Sequence, residues 1–140
     1  MAGVRVLLVD DDQDICEVLQ FVLEKQGAVV SVAASAAEAL AALERWMPNV
    51  LLSDIAMPGG TGYDLMRAIV ARKGNRTPPA AALTAHAHGQ DLREAVASGF
   101  QMLLTKPIDP EMLINAVRDL ARVGAARGSD PAPALESERP

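Results

Sequence analysis

Short apolar runs alternate with longer amphipathic stretches along this chain. The runs at 4–9, 28–33, 50–54, 80–83 and 101–105 are rich in Val, Leu, Ile or Ala, which predicts five buried strands. Between the runs, apolar residues recur three or four positions apart, as on one face of a helix. In the first helix these are Ile15, Val18, Leu19, Val22 and Leu23, and in the fourth we expect Leu92, Ala95 and Val96 to face inward.

Polar residues mark where several of the predicted helices begin. Ser35 with Glu38 forms a capping-box pattern, and Asp109 followed by Pro110 is the favoured order at a helix start. From Gly124 onward, Gly, Ser, Pro, Ala and Glu dominate and the apolar period ends. The sequence therefore predicts one domain over 1–123 and a flexible tail or linker over 124–140.

A strand followed by a helix, repeated five times, predicts an α/β fold. Such a (βα)5 chain forms a parallel sheet covered by helices on both faces, with right-handed crossovers. For a chain of this length we expect a doubly wound, flavodoxin-like sheet with strand order 2-1-3-4-5. Strands 1 and 3 are then neighbours, and the carboxyl ends of the strands form the edge where ligands bind.

Chemically active side chains stand at the ends of four of these strands. They are Asp10 and Asp11 after strand 1, Asp54 after strand 3, Thr84 after strand 4 and Lys106 after strand 5. Carboxylates brought together in this way repel one another, and a hard cation such as Mg²⁺ (or Mn²⁺) relieves the repulsion. Asp54 can then act as a nucleophile toward a phosphoryl group, while the lysine and the metal neutralise charge on the transferring oxygens. The hydroxyl of Thr84 can donate to a phosphate oxygen.

Composition narrows the classes of function. The net charge of −5 argues against direct binding of a nucleic-acid backbone. The single cysteine, Cys16, has no partner for an internal disulfide, and we expect it to be a small residue on a helix face in a reducing, cytoplasmic compartment. No apolar stretch reaches the length of a membrane span, so we expect no direct membrane contact.

Four segments together resemble the receiver domain of two-component response regulators. They are VLLVDDD (6–12), LSDIAMP (52–58), ALTA (82–85) and LTKP (104–107). The resemblance covers about residues 4–122 and implies that Asp54 accepts a phosphoryl group from a phosphohistidine on a histidine kinase or a phosphotransfer protein. It also implies an Mg²⁺ site formed by Asp10, Asp11, Asp54 and the backbone carbonyl of Ala56. The resemblance further implies that Thr84 and Lys106 bind the phosphate.

The resemblance carries further expectations for single residues. The Lys106–Pro107 peptide is expected to be cis, which an X-Pro bond permits. Ala56 and His86 stand at positions that tune the lifetime of the phosphoryl group in the family. Leu103 departs from the pattern, because many members carry an aromatic residue there that turns when the domain is phosphorylated. The face formed by helix 4, strand 5 and helix 5 is a possible homodimer interface.

Alternatives stay open at this point. The chain either acts alone or is the receiver of a larger protein such as a hybrid histidine kinase. A small Mg²⁺-dependent phosphohydrolase would use the same acids for turnover of an external phosphoester, whereas a receiver catalyses its own phosphorylation and slow dephosphorylation and is not otherwise an enzyme. A receiver-fold interaction module that does not use phosphorylation is a third possibility, against which the complete set of site residues counts.

Overall fold

The five predicted strands and five predicted helices are all present in the computed structural model, which describes residues 1–57, 59, 61–86 and 89–128. The strand bounds differ from the predicted ones by at most one residue. In chain order the elements are β1 (Arg5–Val9), α1 (Gln13–Lys25), β2 (Val29–Ala33), α2 (Ala36–Leu43), β3 (Val50–Asp54), α3 (Gly62–Lys73), β4 (Ala80–Thr84), α4 (Gly89–Ser98), β5 (Met102–Thr105) and α5 (Pro110–Gly128).

The sheet has the predicted order, β2-β1-β3-β4-β5, and every pair of neighbours is parallel. β1 and β3 lie side by side, with Val9 opposite Ser53, and Asp54 lies opposite Leu83 of β4. All five residues of β3 are buried. β3, the strand that carries Asp54, is therefore central in the sheet, and its carboxyl end lies between the ends of β1 and β4.

Alternate residues of the strands feed two apolar layers. In β1, Val6 and Leu8 pack with α1 and α5, whereas Leu7 and Val9 pack with α2, α3 and α4. This alternation follows from the two-residue period of a strand, and burial on both faces explains why the strand sequences are continuously apolar. The sheet is thus a rigid middle layer that fixes the positions of the strand ends.

The helix starts agree with the capping signals in the sequence. The Ser35 hydroxyl accepts a hydrogen bond from the Glu38 N–H at 3.1 Å, and the Glu38 carboxylate reaches back to the Ala34 N–H at 3.0 Å. The Asp109 carboxylate accepts from the Met112 N–H at 3.0 Å. These bonds satisfy N–H groups that a helix leaves unpaired in its first turn.

The helices are amphipathic rather than uniformly apolar. α1 buries Cys16, Leu19 and Leu23, but Val18 and Phe21 are 60% and 63% exposed, so the prediction for Val18 was wrong. Val18 precedes Leu19 by one residue, which places it about 100° around the helix from the buried stripe. Within the described part of the chain, no helix is long and apolar enough to cross a membrane.

α4 also differs from its prediction. Leu92 and Val96 are 47% and 57% exposed, whereas Ala95 and Ser98 are buried. Small side chains at the two buried positions let the helix approach the sheet, and the buried stripe is too narrow to include Val96, which follows Ala95 directly. The larger apolar side chains of α4 therefore face outward.

α5 is longer than expected, because it continues to Gly128 rather than ending before Gly124. Gly124 permits close packing, since a Cβ built there would lie 3.1 Å from Cγ of Pro79. The following alanines favour helix, so the glycine does not end it. The predicted tail is wrong for 124–128, and 129–140 lie outside the described residues.

Candidate functional site

Backbone hydrogen bonds bring the ends of neighbouring strands together. The N–H of Asp10 donates to the carbonyl of Ala33 at 3.1 Å, which continues the pairing of β1 with β2. The N–H of Lys106 donates to the carbonyl of Thr84 at 2.7 Å, which continues the pairing of β4 with β5. The pairing of the strands therefore fixes the backbone positions of Asp10 and Lys106 at the edge of the sheet.

The Lys106 ammonium joins two of the predicted carboxylates. Its Nζ lies 3.0 Å from Oδ2 of Asp10 and 3.1 Å from Oδ1 of Asp54. Asp10 is 1% exposed and Asp54 is 5% exposed. Buried charges of this kind are tolerated when they are paired and hydrogen-bonded. One cation shared by two carboxylates leaves the group with an excess of negative charge.

The three consecutive aspartates after β1 have different contacts. Asp10 faces Lys106 through one oxygen and accepts the Asp12 N–H through the other, at 3.0 Å. Asp12 caps α1, since its carboxylate accepts from the N–H groups of Asp14 and Ile15 at 3.0 and 3.2 Å. Asp11 is exposed at the cavity. The structure thus assigns the helix cap to the third aspartate.

Three carboxylates converge at this edge of the sheet. Asp10, Asp11 and Asp54 each offer an oxygen within 4.8 Å of the others. Hard oxygen donors in such a group fit Mg²⁺ or Mn²⁺, which take few protein carboxylates and keep several waters. The predicted ligands are therefore close enough together to share one ion.

Burial and charge act in opposite directions on the paired groups. Burial raises the pKa of Asp54 above its ordinary value of 3.8, with the nearby Asp10 charge adding to the rise and Lys106 opposing it. For Lys106, burial acts to lower the pKa, but the hydrogen bonds that its ammonium donates to Asp10 and Asp54 outweigh this effect and raise the pKa above 10.5. Lys106 is therefore charged at neutral pH, and the Asp54 carboxylate is held at an energetic cost.

Cys16 lies directly behind this group. Its thiol is buried and donates to the backbone carbonyl of Asp10, with Sγ 3.4 Å from the oxygen. Burial, together with the charges of Asp10 and Asp12, raises its pKa to about 11. The thiol therefore stays protonated and acts as a small packing residue, as the sequence predicted.

The Thr84 hydroxyl is engaged by its own loop. It donates to the carbonyl of His86 at 2.9 Å and accepts from the N–H of His86 at 3.1 Å. Thr84 is 9% exposed and lines the same cavity as Asp54. To donate to a group on Asp54, the hydroxyl must give up the bond that it donates to the carbonyl of His86.

The site residues line one cavity of about 480 Å³. Ala56 and His86, which the sequence placed near the site, line it as well. Tyr63 and Asp91 also line the cavity, although neither was among the predicted site residues. The approach of α3 and α4 to the strand ends depends on tertiary packing, so no local signal in the sequence identified these two.

The segment around β5 agrees with expectation. The Lys106–Pro107 peptide is cis. Phe100, which precedes β5 by two residues, is buried in the core. Leu103 is partly buried and packs against the apolar layer shared by α2, α3 and α4. The position that carries an aromatic residue in many receivers is therefore filled here by an aliphatic side chain.

α3 begins directly against the carboxyl end of β3. The N–H of Gly62 donates to the carbonyl of Ile55 at 2.8 Å. A Cβ at Gly62 would overlap the carbonyl oxygen of Asp54 and lie 3.0 Å from Cα of Ile55. These are backbone atoms that cannot turn aside, so only glycine fits at this helix start.

We expect Gly62→Ala to lower the free energy of unfolding by about 3 kcal/mol, because the added methyl group displaces the Asp54 backbone. Gly89→Ala is the matched control, since Gly89 is the first residue of α4 and a Cβ there meets Nη1 of Arg93 at 3.6 Å. Urea unfolding, followed by the fluorescence of Trp46, measures both. Equal stabilities of the two variants would contradict the close approach.

Comparison with known proteins agrees with this geometry. Residues 6–118 match the family model described as the response regulator receiver domain. An uncharacterized 14.6 kDa protein of Leptolyngbya boryana is 46% identical over 118 residues, which cover 84% of this chain and 90% of that protein. The chain belongs to the response regulator receiver family of two-component signalling, and its sheet has the order typical of that fold.

Two further relatives show how the domain is used elsewhere. The DNA-binding response regulator MtrA of Mycobacterium tuberculosis is 34% identical over 81% of this chain, which spans only 49% of that protein. The structure of the chemotaxis response regulator CheY4 of Vibrio cholerae aligns with a TM-score of 0.80 at 29% identity, over 85% of this chain and 99% of that one. The same domain thus occurs in proteins of about this length and in longer ones.

Proposed function

We propose that this chain is a phosphoacceptor: Asp54 takes a phosphoryl group from a phosphohistidine, and the loop between β4 and α4 responds. The observation that carries the proposal is the shared ion pair of Lys106 with Asp10 and Asp54 at the carboxyl edge of the sheet. This pairing supports Asp54 as the nucleophile, Lys106 as the cation and Asp10 as a metal-binding carboxylate that act on one transferring group. The family interacts with histidine kinases and phosphotransfer proteins, which would supply the phosphohistidine.

In this proposal Asp54 supplies the nucleophile. A carboxylate oxygen attacks phosphorus, an O–P bond forms, and the N–P bond to the donor imidazole breaks with the electron pair leaving on nitrogen. The Lys106 ammonium already lies 3.1 Å from Oδ1 of Asp54, so it is placed to donate to a phosphoryl oxygen on that carboxylate. The ammonium would then stabilise the negative charge that develops on the phosphoryl oxygens during transfer.

The acidic group fits a divalent cation. Asp10, Asp11 and Asp54 would hold Mg²⁺ or Mn²⁺ together with the backbone carbonyl of Ala56, which lines the same cavity. Bound there, the ion would neutralise charge on the transferring oxygens. Ala56 and His86 are exposed residues that line the same cavity as Asp54, which supports a role in setting the lifetime of the phosphoryl group.

Phosphorylation would act on Thr84. It adds about −1.5 to −2 charges and three acceptor oxygens at Asp54. The Thr84 hydroxyl can exchange its contacts with His86 for one of those oxygens, and the loop that begins at Ala85 would follow. This is a two-state element biased by a local change of charge.

The outward face of α4, β5 and α5 supports a role in protein contacts. Leu92, Val96 and Met112 are 47%, 57% and 59% exposed on its two helices. We propose that a downstream protein or a second copy of the chain binds this face when Asp54 is phosphorylated. The net charge of −5 favours a protein partner over nucleic acid.

Acetyl phosphate tests the proposal without a kinase. Incubation with Mg²⁺ is expected to add the mass of one phosphoryl group to the intact protein, and EDTA is expected to prevent it. Reduction of the adduct with borohydride, followed by peptide mass mapping, should locate it at Asp54. Multiple turnover of an external phosphoester such as p-nitrophenyl phosphate would instead favour a phosphohydrolase, and no adduct at all would contradict the phosphoacceptor role.

A further inference from the structure

Tyr63 connects α3 with α4 across the candidate site. It is the second residue of α3, it is 9% exposed, and its ring lines the cavity that contains Asp54 and Thr84. Its hydroxyl donates to the backbone carbonyl of Asp91, in the first turn of α4, at 3.5 Å. Tyr63 is thus an aromatic side chain that contacts the helix following the proposed switch loop.

One end of this connection is fixed. Gly62 packs on the backbone of Asp54 so closely that no side chain fits, and its N–H bonds the carbonyl of Ile55. The backbone of Tyr63 therefore cannot shift relative to Asp54 without breaking the start of α3. The other end is different, because α4 begins a few residues after Thr84, whose hydroxyl is bonded to the backbone of His86.

We propose that Tyr63 is a positioning residue whose hydroxyl holds the first turn of α4 in its unphosphorylated arrangement. This inference rests on the proposed function. Tyr63 reaches this turn from α3, so its contact links the fixed start of α3 with the helix that follows Thr84. When Thr84 turns toward a phosphoryl group, the movement of α4 then works against the Tyr63–Asp91 contact.

Thermodynamic linkage gives the direction of the effect. A contact made only in the unphosphorylated arrangement weakens every ligand that selects the other arrangement. Removing the hydroxyl should therefore tighten binding of beryllofluoride, a phosphoryl mimic, in the presence of Mg²⁺. Since 3.5 Å is long for such a bond, we expect a change of about two- to threefold, at the low end for a neutral hydrogen bond.

The variant is Tyr63→Phe, measured by titration with beryllofluoride at saturating Mg²⁺. Ser98→Ala is the matched control, because the Ser98 hydroxyl makes the same kind of bond, to the Ala95 carbonyl at 2.9 Å, at the far end of α4. We expect the control to bind as the wild type does. A merely structural role for Tyr63 would lower stability without tightening the binding.

The outcomes separate this inference from the proposed function. Unchanged or weaker binding by Tyr63→Phe, with normal binding by the wild type, would overturn the positioning role. If the wild type itself neither binds beryllofluoride nor accepts a phosphoryl group from acetyl phosphate, the proposed function fails first.

A second measurement uses the fact that the chain has one tyrosine. Protein labelled with 3-fluorotyrosine should give one ¹⁹F resonance, which we expect to move when beryllofluoride saturates the site. In Thr84→Ala the displacement should shrink, because the loop is no longer drawn inward even when the mimic is bound. An equal displacement in Thr84→Ala would show that Tyr63 does not respond through Thr84 and would overturn the proposed coupling.

Discussion

Asp54→Asn is expected to abolish the phosphoryl adduct formed with acetyl phosphate and Mg²⁺, and to make the metal-free protein more stable. The adduct disappears because an amide oxygen does not replace a carboxylate as nucleophile. Stability rises because the variant removes a buried negative charge that lies with Asp10 around one ammonium. One substitution thus separates what the carboxylate does for function from what it does for the fold.

The pKa of Asp54 fixes the pH dependence of this stabilisation. Burial raises the pKa of Asp54 in the folded state above 3.8, so the folded protein holds this proton more tightly than the unfolded chain does. The wild type therefore loses stability as the pH rises from 3.8 through the folded-state pKa. Asparagine does not titrate. The advantage of Asp54→Asn should therefore be absent below about pH 3.8 and complete above the raised pKa.

Denaturant unfolding at several pH values, with and without Mg²⁺, measures the stability difference. Added Mg²⁺ at about a hundred times its dissociation constant should stabilise the wild type by about 2.7 kcal/mol and the variant by much less. Asp119→Asn is the control, since it removes the same charge from an exposed side chain on α5. An adduct of equal yield on Asp54→Asn would show that another residue accepts the phosphoryl group.

The fold could be predicted from the sequence because the central strands β1, β3 and β4 are buried on both faces. A short run such as Val50 to Asp54 does not fit the spacing of an amphipathic helix, and the turn residues after it mark its end. Predictions for helix surfaces were less accurate. Val18 and Val96 match the apolar spacing of a helix, but the width of the buried stripe depends on how closely the helix approaches the sheet, which the sequence alone does not specify.

The candidate site could be predicted where it depends on strand ends. Asp10, Asp54 and Lys106 meet because parallel strands bring their carboxyl ends to one edge. Tyr63 could not be assigned in the same way, since its position beside Thr84 depends on how the start of α3 packs against β3. Gly62 is the residue that permits that packing, and in the sequence it looks like an ordinary loop glycine.

Lys106→Met is expected to slow phosphorylation by acetyl phosphate about 100-fold. The reason is that the variant removes the ammonium that contacts both Asp10 and Asp54. We also expect a loss of about 2 kcal/mol in the unfolding free energy of the metal-free protein at neutral pH, as hydrogen bonds to charged partners are lost and the two carboxylates remain buried. Methionine keeps most of the side-chain volume, so packing changes little.

The pH dependence identifies the ammonium as the cause. Since the hydrogen bonds that the ammonium donates to the carboxylates raise its folded-state pKa, the stabilisation by Lys106 is complete below pH 10.5 and is lost as the pH rises through the raised value. The stability gap between wild type and variant should narrow there. Lys25→Met, which removes an exposed lysine on α1, should change neither the phosphorylation rate nor this gap. A normal rate for Lys106→Met would show that the ion pair only holds Asp54 before transfer and does not stabilise the transferring group.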